Sequence, residues 1–166
     1  MSDPNPYSSP EAAVADLTAS NLAGRGERLG AALIDGIIMI AILFPLMFVG
    51  GYWQAAMAAQ GQVPIGTTIL WAAIGFAVFA AVQWVPLNAN GQTWGKRVLG
   101  IKIVDLAGNK VPAGRILGMR YLPVQVAGNV PLLGPLLGLV NVLLIFRADR
   151  RCGHDLIAGT QVVKAR

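Results

Sequence analysis

Few residues in this chain can do chemistry, and the first of them sits in apolar company. Asp35 interrupts "ALIDGIIMI" (32–40), where every other residue is Ala, Leu, Ile, Gly or Met. A carboxylate at the middle of a membrane helix costs about 2.5–3.5 kcal/mol on insertion scales, and such acids usually line ion or substrate paths or hydrogen-bond a neighbouring helix. Exchange of a proton or a cation is the chemistry that Asp35 suggests. Arg28 stands seven residues earlier, two helical turns away on the same face. At 1.5 Å per residue their Cα atoms lie about 10 Å apart, too far for a direct intrahelical pair although a long Arg side chain can snorkel. A third group or a water is expected between them. Gly26, Gly30, Ala31, Ala32 and Gly36 keep the surrounding backbone open to close helix contacts.

The second set lies in "FRADRRCGHDLIAGTQVV": Arg147, Asp149, Arg150, Arg151, His154 and Asp155. Asp155 reads either as the N-cap of a short "LIAG" helix ended by Gly159 or as a functional acid. His154 is the only histidine and titrates near neutral pH if unperturbed. One His and one Cys without spaced partners make no expected metal site. Cys152, alone in the chain, excludes an intramolecular disulfide and fits a reducing compartment. "GQTWGK" superficially resembles a phosphate loop, but only three residues separate Gly91 from Gly95, and Arg97 follows the lysine; G-x-x-x-x-G-K-[ST] is not met. With no G-x-S-x-G and no dinucleotide fingerprint, neither an enzyme nor a cofactor is expected. An intramembrane enzyme would have to rely on His154 and Asp155, the only adjacent pair.

These residues are carried by an apolar chain: of 166 residues, 55% are hydrophobic and only 13% charged, about half the charged fraction of a soluble globule. No charged residue lies between Asp35 and Lys96, or between Arg120 and Arg147. The net charge of +5 is gathered into blocks beside apolar runs, which signals topology rather than nucleic-acid binding. The Pro- and Ser-containing first 22 residues lack the basic n-region of a cleavable signal and read as a disordered tail, with a short helix start at Ser9-Pro10-Glu11. Residues 23–166 form the membrane domain. Leu29 to about Gly50 and Thr67 to Pro86 are each near the roughly 20 residues that span about 30 Å of hydrocarbon, and Pro45 is tolerated in such a setting, with a kink expected. The linker between them has no Lys or Arg, whereas Arg25 and Arg28 precede the first run and six basic residues follow the second. Positive-inside asymmetry puts both flanks, and the N-terminus, in the cytoplasm of a multi-pass inner-membrane protein. Tyr52, Trp53, Trp71 and Trp84 near the run ends suit either the interface or ordinary packing.

The third hydrophobic region, 116–146, is broken by Gly128, Pro131, Gly134, Pro135 and Gly138, which leaves two readings: a helical hairpin that returns to the cytoplasm, or a single span. Two observations favour the hairpin. A single span would put the basic C-terminal segment outside, against the charge rule. In addition, "RVLGIKIVD", "LAGNK" and Val111 read as a small β-hairpin, and a lone strand at "GTQVVKAR" needs a partner, so residues 98–112 and 159–164 should share one side and one sheet. The expected fold is an all-α membrane protein with a small cytoplasmic β-sheet. Three hydrophobic segments do not readily enclose a path, so a homo-oligomer or a membrane-protein partner within the lipid bilayer is expected.

"GERLGAALIDGII", "GQTWGKRVLGIKIVDLAGNKVPAG", "LGMRYLP" and "RRCGHDLIAGTQVV" together resemble the RDD family of small bacterial membrane proteins, from about Leu22 to Lys164. The resemblance implies that Arg28 and Asp35 are the family's Arg and first Asp, at and within the first transmembrane helix, and that Asp155 is the second Asp. It also implies transport of ions or small ligands, including cation/proton exchange, with Arg28, Asp35 and Asp155 as binding residues. The alternative is a membrane-embedded adaptor in which the buried charges fix assembly and the basic sheet binds a partner or anionic head groups. The proline-rich break at 131–135 departs from the family pattern.

Overall fold

The computed structural model describes residues 21–130 and 133–165. The helix start at Ser9-Pro10-Glu11, most of the N-terminal tail and Pro131 lie outside them. The described residues are mostly helical, with one two-stranded antiparallel sheet.

Two long helices carry the apolar runs. α1 (Arg25–Val49) starts where Gly24 N–H donates to Glu27 Oε2 at 2.6 Å, placing an acid at the positive end of the helix dipole. It continues through Pro45. After a short α2 (Tyr52–Ala58), α3 (Ile65–Asn90) runs past Pro86, where the apolar run was predicted to end. It stops at Gly91, whose φ of 66° suits a residue without a Cβ. Both helices are long and apolar enough to cross a membrane by length and composition. The aromatic residues between them pack on one another: Tyr52 stands edge-on to Trp53 at 5.5 Å and to Trp71 at 5.7 Å. Gly50 lets this happen, since a Cβ there would fall 2.5 Å from the Trp71 ring.

α1 is inverted relative to a helix of a water-soluble domain. Its buried residues are Arg28, Ala31 and Asp35, one face at helical spacing. Leu33, Ile37, Ile40 and Phe44 on its other faces are more than half exposed.

The core lies at the end of the molecule where α1 begins and α3 stops. There α4 (Trp94–Val98) leads into β1 (Ile101–Asp105), which pairs antiparallel with β2 (Thr160–Lys164), Ile103 opposite Val162. Ile101, Ile103, Val111, Ile116 and Val162 bury against Ala31 and Leu87. The pairing of 98–112 with 159–164 is therefore present, but the local hairpin expected after β1 shrinks to a turn and a single bridge, Val104 to Lys110. The Asp105 carboxylate accepts Ala107 N–H at 2.9 Å and Asn109 N–H at 2.8 Å, and Pro112 has no N–H to extend a ladder. The far side of β2 is bridged instead by Leu22 to Val163.

Between the strands, α5 (Ala113–Arg115), a π-helical segment (Ile116–Tyr121) and α6 (Leu122–Gly128) run on continuously. α7 (Leu133–Leu143) then packs back on α6, so closely that a Cβ on Gly134 would lie 2.4 Å from Gly128 O. A 3₁₀ turn (Leu144–Phe146) and α8 (Gly153–Ala158) return the chain to β2. Over 116–146 the chain makes a helical hairpin rather than one continuous helix, and the 11 residues of α7 rise about 16 Å.

Candidate functional site

Asp35, on the buried face of α1, is 9% exposed. Its carboxylate accepts three hydrogen bonds, all from neutral donors: Gln83 Nε2 on α3 at 3.0 Å, Thr93 Oγ1 at 2.5 Å and Gly95 N–H at 2.8 Å. Each donor is fixed by its own element. Gln83 Oε1 accepts Trp94 N–H at 3.0 Å, which locks the amide's orientation. Thr93 is the N-cap of α4 and accepts Lys96 N–H at 3.4 Å. Gly95 sits so close to α1 that a Cβ would lie 2.1 Å from Ala31 O; only glycine lets α4 rest on α1 there. Lys96 Nζ, also buried, lies 3.4 Å from Thr93 Oγ1 and 3.4 Å from Tyr121 Oη. A polar path therefore leads from Asp35 through Thr93 and Lys96 to the π-helical segment.

The second cluster centres on Asp155, which is fully buried. One carboxylate oxygen pairs with Arg28 and the other with Arg120 Nη2 at 2.9 Å. Thr160 Oγ1 donates at 3.3 Å, and Cys152 N–H donates at 3.1 Å. Burial on its own raises the Asp155 carboxyl; the charges of Arg120 and Arg28 outweigh it and hold the group far below the usual carboxylate range. Asp155 is not the N-cap of α8: Cys152 holds that position, and Asp155 in the third helical place reaches back to its N–H. Gly159 ends the helix as expected, with φ 62°.

His154 bridges Asn141 and Arg120, Nδ1 to Asn141 Oδ1 at 3.0 Å and Nε2 to Arg120 Nη2 at 3.2 Å. Acceptance from Arg120 requires a neutral ring protonated at Nδ1. Burial, then the Arg120 charge, pushes its pKa down to about 3, so it does not titrate near neutral pH. Burial pushes the Cys152 thiol up. The ligand atoms of Cys152, His154 and Asp155 lie within 4.8 Å of one another. A metal ion there would have to compete with Arg28 and Arg120 for the set's one carboxylate and take a His154 nitrogen already paired with Arg120 or Asn141, so the donor set does not fit one.

Arg28 and Asp35 thus share a helix face without serving each other. Arg28 turns to Asp155, to the Arg150 carbonyl and to Cys152 Sγ; Asp35 turns to α3 and α4. Gln83, Thr93, Gly95, Lys96 and Arg120 complete the two clusters, and sequence reasoning did not single them out. The available signals were Gln83 as a lone amide inside the second apolar run, and a "GQTWGK" segment whose small and hydroxyl residues suit a carboxylate rather than a phosphate.

The RDD family profile matches residues 22–159. An uncharacterized protein of Bacillus subtilis (strain 168), YckC, is 37% identical over 145 residues, 86% of this chain and 85% of that protein. An uncharacterized protein of Haemophilus influenzae is 32% identical over 92 residues, 55% of this chain and 56% of that protein. No solved structure matches.

Proposed function

The chain belongs to the RDD family, and on that premise we propose that it is a multi-pass inner-membrane protein that exchanges a proton or a monovalent cation at Asp35. In this reading α1 and α3 cross the bilayer, the α6–α7 pair enters it without crossing, and both termini are cytoplasmic. Support for the bilayer comes from the inverted α1. A helix that buries Arg28 and Asp35 while exposing Leu33, Ile37 and Ile40 is unfavourable in water and favourable in hydrocarbon.

One observation carries the exchange reading. Among the described residues Asp35 has no Lys or Arg in ion-pair contact, so its buried carboxylate meets only neutral donors. The nearest buried cation, Lys96, is held one hydroxyl away on Thr93, which leaves the carboxylate to take a proton or a small cation directly. Asp155 differs, because two arginines neutralise it; its cluster anchors α1 to the π-helical segment and α8. Three hydrophobic segments do not enclose a path, so a homo-oligomer is part of the proposal.

The adaptor reading has its own observation: the three hydrogen bonds of Asp35 tie α1 to α3 and α4, as a purely structural acid would. Proteoliposomes separate the two. Under an imposed Na⁺ or K⁺ gradient, with an internal pH dye, the parent should move protons faster than empty liposomes and Asp35→Asn should fall to the empty-liposome rate. A parent no faster than empty liposomes, or an Asn variant equal to the parent, sinks the exchange reading. Destabilisation of Asp35→Asn in a protein without flux supports the adaptor.

A further inference from the structure

Outside both clusters, the end of α3, β1 and the turn after it border a half-open cavity of about 430 Å³, within the range of small-ligand sites. Asn90, Gln92, Lys102, Gly108, Lys110 and Ala165 line it, and among the described residues no Asp or Glu does. Asp105, on the same strand as Lys102, has its carboxylate taken up by the Ala107 and Asn109 N–H groups of the turn.

The two lysines are not equivalent. Lys110 Nζ donates to Asn88 O at 2.5 Å, where a cation offsets the negative end of the α3 dipole. Lys102 is half-buried on β1, and its ammonium has no hydrogen-bond or ion-pair partner among the described residues. Gln92, which shares the lining, is pinned by its amide to Ile101 O at 2.9 Å, so the wall beside Lys102 is set by the fold. A lysine without a counter-charge, lining a polar cavity that has no acid among the described residues, suits an anion.

We propose that this cavity binds a phosphate-bearing ligand, its oxyanion held by Lys102 with Lys110 as the second charge. Lysine binds phosphate as a point charge, and two ammonium groups together match the charge of roughly −1.5 to −2 that a phosphate monoester carries near neutral pH better than the single charge of a carboxylate. The phosphate can come from an anionic lipid head group, since the cavity adjoins the end of α3, or from a soluble phosphate. The site is independent of the exchange chemistry at Asp35.

Two arms distinguish the sources. In the first, the full chain in phosphatidylcholine nanodiscs is titrated calorimetrically with inorganic phosphate at constant ionic strength. In the second, the chain is released from mixed phosphatidylglycerol and phosphatidylcholine bilayers, and the phospholipid retained is read by native mass spectrometry. The parent should bind in at least one arm: phosphate in the first marks a soluble ligand, and phosphatidylglycerol preferred in the second marks a head group. Binding in that arm should weaken by about tenfold or more in Lys102→Ala, the loss of one charge-assisted hydrogen bond. It should stay within a few-fold of the parent in Lys102→Arg. Lys164→Ala removes an exposed lysine of the same sheet from outside the lining and should leave binding unchanged. Should Lys102→Ala fold poorly, Lys102→Gln takes its place. The proposal is overturned by a parent silent in both arms, by a Lys102→Ala or Lys102→Gln variant that binds like the parent, or by equal losses at Lys102 and Lys164.

Discussion

Gly95→Ala tests the Asp35 pocket without touching the acid. The added Cβ would stand 2.1 Å from Ala31 O and 3.0 Å from the Asp35 carboxyl carbon. Both neighbours belong to α1, and the nearer one is backbone, so no flexible side chain can move aside. α4 must lift away, and the 2.8 Å bond from Gly95 N–H to Asp35 goes with it. Overpacking of this kind costs about 1–3 kcal/mol, and loss of a hydrogen bond to a charged group about 1.5–3 kcal/mol. Together they should destabilise the fold by roughly 2.5–6 kcal/mol. Gly36→Ala is the matched control: it lies on α1 one residue after Asp35, with nothing within 4 Å of its added Cβ, and should gain up to about 1 kcal/mol of helix propensity. Equilibrium unfolding of both variants in one detergent gives the comparison. If Gly95→Ala unfolds at the same denaturant concentration as the parent, α4 does not rest on α1 through Gly95 and the pocket is wrongly drawn.

Asp155→Asn should cost about 3–5 kcal/mol at pH 7, because Arg28 and Arg120 then lose their buried counter-charge. The native carboxyl is held below its unfolded value, so its stabilisation is complete above about pH 4 and fades as pH falls through the native value. Unfolding curves of parent and variant should accordingly differ most at neutral pH and draw together in strong acid; a constant gap would speak against the ion pairs. His154 acts in the same direction, over a higher pH range. Its native pKa of about 3 lies below the ordinary 6.5, so between those values the unfolded chain holds the proton and stability falls as pH drops, by up to about 1.4 kcal/mol per unit. His154→Gln should flatten that part of the stability curve, and an unchanged slope from pH 6.5 to 4 would show that the ring is not held neutral.

How much of this was legible in the sequence depended on whether the signal was local. The two apolar runs declared α1 and α3 within a few residues, because length and hydropathy belong to the segment itself. The junction of β1 with β2 was legible through a non-local argument: an isolated strand at 160–164 needs a partner, and 101–105 was the one alternating segment available. The hairpin after β1 misled, since Asn and Gly in "LAGNK" promise a turn but do not show that the Asp105 carboxylate takes the turn's N–H groups. Thr93, Gly95 and Lys96 were hidden for a related reason. Their meaning comes from α4 lying across α1, a contact that no spacing within "GQTWGK" encodes.

The spacing of Arg28 and Asp35 shows the limit most clearly. Seven residues put them on one face, and in a two-body picture the cation compensates the acid. In the folded chain that face meets two different walls. Near its start it meets the Cys152–Asp155 turn, whose buried carboxylate takes Arg28; two turns on, it meets α3 and α4, which offer Asp35 an amide, a hydroxyl and a backbone N–H. The second Asp of the family pattern therefore changes the role of the first. With Asp155 present, Arg28 is held away from Asp35; without it, Arg28 would be a buried cation two turns from Asp35 on the same helix face. The geometry is better read as one neutralised pair, Arg28 with Asp155, that leaves Asp35 without a cation in direct contact, and the proposed exchange rests on that acid.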